Sequence, residues 1–442
     1  MRISTIWASV LVLIGLVAGA SNAVALNTPR PIHRPKAETH LSQPHRAAGH
    51  AATGRATASA SRTARPAGKA SRAAKSRTAS RRAGKASSTE PKARLRRTSL
   101  RTRRHIFLEH FTASSFASSP VTAGDITVGE DPMVREAAIE AMGDMNGTAV
   151  VINPANGRIL AMVNQKMALS PGAEPCSTIK LTVALAALSE GIVTADTPVK
   201  LAGFRMNMTD ALAKSNNLYF EELGRELGFE RMHSYESKIG LGELAGYNIK
   251  GEQLGTYPSE ELPASQGGVG RMCSFGQGVS VTPLQLGAFV AALANGGTLY
   301  YLQHPATPAE IEAFEPRVKR QLDIAKFVPE MQMGMAGAVE YGTARRLRYN
   351  FEELPVFGKT GTCSDKGTRF VWFASFSNTP QGNLVTVFFL KGGRPTFGPR
   401  AAELTGLFYK HLWEHEYFKT QEAQASPAAV AAEAPAQAQT VE

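Results

Sequence analysis

Cysteine is scarce in this 442-residue chain, at Cys176, Cys273 and Cys363 only. Their spacing matches no metal-ligand pattern, and an odd count leaves at least one thiol without an internal partner. Acid is missing from one long stretch. From Leu26 to Arg104 there are 21 Lys and Arg against Glu38 and Glu90, a net of +19, so the remainder contributes −7 to the overall +12. The basic pI therefore belongs to a tail and not to the folded part. Phe, Tyr and Trp are absent from the same stretch, which removes the main stacking platforms of a single-strand nucleic-acid binder. Large apolar side chains are nearly absent as well. Residues 26–104 thus read as a disordered cationic tether that cannot bury enough surface to fold. A solvated spacer ranks first for this tether, contact with an anionic wall polymer or lipid headgroups second, and nucleic acid a distant third. Near the N-terminus the apolar run Ile6 to Leu16 is short for a membrane span. One Arg precedes it and Ala23-Val24-Ala25 follows, so residues 1–25 have the layout of a secretory signal. Export to the periplasm or cell envelope is expected; if retained, the segment would anchor the chain to the inner membrane.

Periodicity organises what remains. Residues 105–131 form a transition segment, and residues 132–418 carry the pattern of a folded domain. "VREAAIEAMG" has helical spacing, and "GTAVVINPANGRILAMVNQ" reads as two strands around a Pro-Ala-Asn-Gly turn. A long, mostly helical middle follows, including "NLYFEELGRELGFERMHSYESKIG" and "VTPLQLGAFVAALANGG". The period then changes: "PVFGKTGTC", "RFVWFASFSN" and "NLVTVFFLKGG" are strands at short spacing, and "RAAELTGLFYKHLWEHEYFK" is a closing helix. Strands early and late with helices between them imply an α+β domain. Residues 419–442 are an Ala/Pro/Gln tail with no core.

The stretch "PCSTIKLTVALAALSEG", starting at Pro175, carries the first chemical signal. Ser177 and Lys180, three residues apart on a helix face, place a nucleophile beside a base, while Leu181 to Leu188 sink into a core. A serine hydroxyl attacks carbonyls only when something removes its proton, and a neutral lysine can do so. Burial lowers a lysine pKa, and so does a neighbouring cation. Lys359 in "GKTGTC" is the candidate second cation. Thr360 beside it offers a hydroxyl, and Gly361 would leave the strand edge bare for a substrate backbone. "KSNN" supplies Ser215 as a hydroxyl relay and Asn217 as an amide donor and acceptor.

Ser-x-x-Lys, a Ser-x-Asn triplet and Lys-Thr-Gly, in this order, form the signature of penicillin-binding proteins and serine β-lactamases. Residues from about Gly147 to Leu412 resemble the transpeptidase domain of penicillin-binding proteins. "AVVINPANGRILAMV", "SFGQGVSVTPLQLGAFVAALANGG", "EYGTARRL" and "GPRAAELTGLFY" are similar to further segments of that domain. The resemblance implies an antiparallel five-stranded sheet flanked by helices, with an inserted all-helical lobe and the site in the cleft between. It also implies an acyl-serine D,D-transpeptidase or D,D-carboxypeptidase that cleaves D-Ala-D-Ala stems of peptidoglycan, needs no cofactor or metal, and is inhibited by β-lactams. Ser177 would be the nucleophile and Lys180 its base. Ser215 would pass a proton to the leaving group, Asn217 would hold the substrate amide, and Lys359 and Thr360 would bind the terminal carboxylate or tune the base. Backbone N–H groups of Ser177 and Thr362 would form the oxyanion hole. Cys176 and Cys363 flank this presumed pocket and would either pair or pack.

A serine β-lactamase shares the fold and the acylation but adds fast deacylation. "ELAGYN" lacks the spacing of the Glu-x-x-Leu-Asn loop of one such class, and Ser-Asn-Asn stands where the other usually has Ser-x-Val. A degenerate, non-catalytic peptidoglycan binder or regulator is disfavoured by retention of every motif residue. "HLWEH", His411 to His415, fits a zinc-protease pattern, but it lacks a further ligand and reads as the solvated end of a helix.

Overall fold

The structure, a computed structural model, describes residues 112–379, 382–393 and 396–419. The export segment, the basic tether, residues 105–111 of the transition segment and residues 420–442 of the tail lie outside the described residues. Strands β1 (Gly147–Asn153), β2 (Arg158–Val163), β3 (Val356–Asp365), β4 (Thr368–Thr379) and β5 (Gly382–Gly392) form one sheet. Its order is β2-β1-β5-β4-β3, and every adjacent pair is antiparallel. The first and last thirds of the domain therefore meet at the β1–β5 pairing, where Gly147 lies opposite Leu390. The expected five-stranded α+β architecture is the one observed.

Both faces of the sheet are covered, which explains why its strands read as nearly continuous apolar runs. Along β1, Val150 and Ile152 join one buried cluster while Ala149 and Val151 join another. Along β4, Trp372, Ala374 and Phe376 take the first face and Val371 and Phe373 the second. This is the period-two alternation of a strand, with oil on both sides.

The nine longer helices of the described residues divide between these faces. They are α1 (Pro132–Met142), α2 (Lys180–Ser189), α3 (Met208–Ala213), α4 (Asn217–Leu227), α5 (Phe229–Lys238), α6 (Gly268–Phe275), α7 (Pro283–Ala294), α8 (Val328–Glu340) and α9 (Gly398–Glu414). On the second face α1 and α9 pack with one another and with the sheet. The Asp131 side chain starts α1 by accepting from the Met133 and Val134 N–H groups, with Pro132 in the first turn. The helices between β2 and β3 form the lobe on the first face, with the end of α8 reaching the second cluster through Ala338 and Val339. Within it α2 is buried along all but its last residue, and α7 opens with a reciprocal Thr282–Gln285 capping box. The helical stretch "NLYFEELGRELGFERMHSYESK" is two helices, α4 and α5. Gly228, at φ +78°, is the break, since the left-handed region is closed to most other residues.

His411 of the decoy motif sits on α9 with Nδ1 2.6 Å from Glu140 Oε2 of α1, and its ring stacks on His415. No helix of the described residues is long and apolar enough to cross a membrane.

Gly406 fixes how closely α9 approaches the 3₁₀ turn Arg345–Tyr349: a Cβ there would lie 2.5 Å from the Leu347 carbonyl oxygen. Backbone cannot yield as a side-chain tip can. Gly406→Ala is expected to destabilise by about 1–3 kcal/mol despite the better helix propensity of alanine. Urea unfolding of the two proteins measures this, and equal midpoints would show that α9 shifts at no cost.

Candidate active site

The site forms where three segments far apart in sequence converge: the turn before α2, the α3–α4 junction and the edge strand β3. Pro175 leads into a 3₁₀ turn, Cys176–Ile179, and only at Lys180 does the α-helix begin. The expectation of a helix from Pro175 is corrected accordingly. Thr178 closes the turn by donating both its N–H and its Oγ1–H to the Pro175 carbonyl, at 3.2 and 2.7 Å. In a 3₁₀ turn residues i and i+3 eclipse, so the change brings Ser177 and Lys180 together directly.

Lys180 Nζ lies 3.1 Å from Ser177 Oγ, 2.8 Å from the Ser215 carbonyl oxygen, 3.1 Å from Ser215 Oγ and 2.6 Å from Asn217 Oδ1. Two N–H groups reach the carbonyl oxygens of Ser215 and Asn217, which leaves the third position of the nitrogen, a lone pair when the amine is neutral, for a hydroxyl. The Lys180 side chain is fully buried against Phe220, whose ring centroid lies 5.5 Å from Nζ. Burial, then the nearby Lys359 cation, push the Lys180 amine well below the ordinary lysine range; Glu221 opposes them.

Lys359 on β3 is also fully buried, and burial brings its pKa down to about 7. Its Nζ donates to Ser215 Oγ at 2.8 Å and to the Thr360 carbonyl at 3.0 Å. Ser215 Oγ is thus shared by both lysines. The chain presents it from the junction of α3 and α4 with Ser215 at φ +54°, a conformation uncommon for a residue with a Cβ. Asn216 caps α4 by accepting from the Tyr219 N–H, which leaves Asn217 to face Lys180.

The remaining predicted residues are on β3. Thr360 Oγ1 lies 2.6 Å from Thr343 Oγ1, and Thr362 Oγ1 accepts from the Gly398 N–H at the start of α9. A Cβ on Gly361 would lie 2.9 Å from the Pro175 carbonyl oxygen and 3.2 Å from Thr178 Cγ2, so its bareness lets β3 close on the turn that carries Ser177. Cys176 and Cys363 are joined by a disulfide, which leaves Cys273 as the free, buried thiol. Trp372 Nε1 donates to the Glu174 carbonyl and pins the same segment from beneath.

Thr343 was not singled out from the sequence, although "EYGTARRL" contains it. Arg271 and Glu174, which line a cavity beside Thr362 and Cys363, were missed for want of any local motif.

The family model described as penicillin binding protein transpeptidase domain matches residues 147–403. Stage V sporulation protein D of Bacillus subtilis is 28% identical over 312 residues, covering 58% of this chain and 47% of that protein. Peptidoglycan D,D-transpeptidase FtsI of Escherichia coli K12 is 26% identical over 254 residues, covering 50% of this chain and 42% of that protein. The chain therefore spans about half the length of the curated relatives it matches. A solved peptidoglycan glycosyltransferase from Burkholderia ambifaria is similar with a TM-score of 0.55 at 19% identity, covering 65% of this chain and 97% of that one. At that identity the likeness shows the fold alone.

A depressed lysine makes folding depend on pH. Below the ordinary lysine pKa the unfolded chain holds a proton on Lys359 that the folded chain releases above about 7. Stability should therefore rise with pH from about 7 to about 10. Lys359→Met is expected to flatten that rise by up to about 1.4 kcal/mol per pH unit, as read from urea midpoints at several pH values. An unchanged slope would mean that Lys359 stays protonated in the fold.

Proposed function

The chain belongs to the penicillin-binding-protein transpeptidase family, and from that premise we propose that it is an acyl-serine enzyme acting on D-Ala-D-Ala-terminated peptide stems of peptidoglycan. The observation that carries this reading is the Lys180 amine, dry and surrounded by four oxygens of which one belongs to Ser177. Ser177 Oγ attacks the carbonyl carbon of the penultimate D-alanine while its proton passes to the Lys180 lone pair. The negative charge gathers on the former carbonyl oxygen, where the backbone N–H groups of Ser177 and Thr362 receive it. The C–N bond then breaks. The leaving D-alanine nitrogen takes a proton from Ser215 Oγ, which is resupplied from Lys180 or Lys359, both within 3.1 Å of it. An ester on Ser177 remains, to be taken by an amine of a second stem or by water. Asn217 and Thr360 orient the peptide and its terminal carboxylate. β-Lactams would inhibit by acylating the same hydroxyl.

The names of relatives, a D,D-transpeptidase among them, support transfer over penicillin hydrolysis. The secretory layout of residues 1–25 supports a place in the cell envelope, facing the wall.

Intact-mass spectrometry of the full chain with benzylpenicillin, followed over time, tests this. A persistent one-to-one adduct is expected, absent from Ser177→Ala and formed at least about 100-fold more slowly by Lys180→Ala. An adduct on Ser177→Ala would overturn the assignment of the nucleophile. An adduct that vanishes as free penicillin is hydrolysed would make the protein a β-lactamase.

A further inference from the structure

A hollow of about 350 Å³, a volume typical of small-molecule pockets, opens beside the segment that runs from Leu302 to Ala306. None of the residues assigned to the reaction lines it. The segment is held from two sides. The Leu302 carbonyl accepts from the Tyr247 N–H at 2.7 Å, while Gln303 donates its N–H to the Gly157 carbonyl at 2.9 Å and accepts from the Ile159 N–H at 2.8 Å.

His304 brings a buried acceptor to this hollow. Its side chain is 5% exposed, and Nε2 lies 2.9 Å from Glu130 Oε1. The Glu130 carboxylate also accepts from Arg135 Nη1 at 2.7 Å, the Met162 N–H at 3.0 Å and Gln165 Nε2 at 3.3 Å, so the histidine is the donor in their contact. With one ring nitrogen committed to Glu130, the other, Nδ1, is left to accept. It has no hydrogen-bond partner among the described residues, and the ring lines the hollow. Buried polar atoms are normally satisfied, so a donor inside the hollow is the partner this geometry leaves room for.

The rest of the lining narrows the ligand. Met162, Leu169 and Ile249 give the hollow apolar walls. Its rim is cationic. Lys250 has no hydrogen-bond or ion-pair partner among the described residues, and the Arg317 guanidinium lies over the Tyr247 ring at 4.2 Å with its N–H groups unpaired there. One acid is present, Glu310, whose Oε2 accepts from the Ala306 N–H at 2.6 Å. A plain hydrocarbon would leave His304 and both cations unanswered, and a cation would be repelled at the rim. An N-acylated apolar amino acid answers all three features within one residue. Its amide N–H suits Nδ1, its side chain suits the walls, and its carboxylate suits the guanidinium and ammonium.

We propose that this hollow binds the free-carboxylate end of an N-acylated apolar amino acid, alone or as the last residue of a peptide, through His304 Nδ1, Lys250 and Arg317.

Isothermal titration of the full chain with three probes tests this, and no arm of it depends on Ser177. N-Acetyl-L-leucine carries both the amide donor and the acid, N-acetyl-L-leucinamide lacks the acid, and 4-methylpentanoate lacks the donor. N-Acetyl-L-leucine is expected to bind with Kd of about 1 mM or tighter, as suits a ligand of about a dozen heavy atoms. Each of the other two should bind about fivefold or more weakly. Ala313→Trp, at an exposed lining position, should fill the hollow and abolish binding. Arg317→Gln combined with Lys250→Gln should bring the acid close to its amide. Thermal unfolding by circular dichroism reports that both variants keep the fold. Acetyl-Ala-Ala-Leu separates the two sources: tighter binding than N-acetyl-L-leucine names a peptide terminus, weaker binding a free acylated amino acid. No binding of N-acetyl-L-leucine, equal binding of the three probes, or undiminished binding by either folded variant overturns the site. Preference for N-acetylmuramic acid over all three overturns the ligand class in favour of an acidic sugar.

Discussion

Lys180 and Lys359 both end on a single hydroxyl, Ser215 Oγ, at 3.1 and 2.8 Å, in a pocket that excludes water from each of them. Two buried ammonium groups so close would repel each other and forfeit several kcal/mol of hydration apiece. Burial lowers the pKa of both lysines and so eases this repulsion, and much of the architecture can be understood as the enclosure that does so. Helix α2 is buried along nearly its whole length so that Lys180 has no route to solvent, and Phe220 of α4 closes the pocket beside Nζ. Strand β3 approaches closely enough to deliver Lys359 only because Gly361 presents no side chain to the Pro175 carbonyl.

The backbone is also bent to the purpose. Cys176 and Ser215 both have φ of +54°, one next to the attacking hydroxyl and the other bearing the shared one. Non-glycine residues in this region persist where their surroundings over-determine them. Here the surroundings are a disulfide at Cys176 and two lysine amines at Ser215. Both turns aim a hydroxyl at the one Lys180 amine, each at 3.1 Å.

How much of this the sequence reveals depends on the range of the interaction. Period-two runs such as Val150 to Ile152 and the apolar face of Leu181 to Leu188 declare strand and helix because the signal lies within a few residues. Ser177, Lys180, Ser215 and Lys359 were legible because each sits in a short motif. What stayed hidden is relational. Ser177 belongs to a 3₁₀ turn, with Lys180 opening the helix after it, because of what Pro175, Thr178 and β3 do together. The choice of partner for Cys176 is a matter of strands closing across 187 residues of chain, and nothing near either cysteine announces it. Thr343 and Arg271 acquire meaning only from neighbours in space, Thr360 for one and Phe275, Gln277 and Glu174 for the other.

The disulfide has a topological consequence. It closes a covalent ring that runs from Cys176 through the whole helical lobe and back along β3 to Cys363. Every loop between α2 and β3 therefore lies inside the ring, while β1, β2, β4, β5, α1 and α9 lie outside it. A protease that cuts any one of those loops opens the ring but releases no fragment: Ser177 and the Lys-Thr-Gly strand stay on one covalent framework. In an extracellular setting where cuts at exposed loops accumulate, the reacting groups would remain tethered to one another through the first of them.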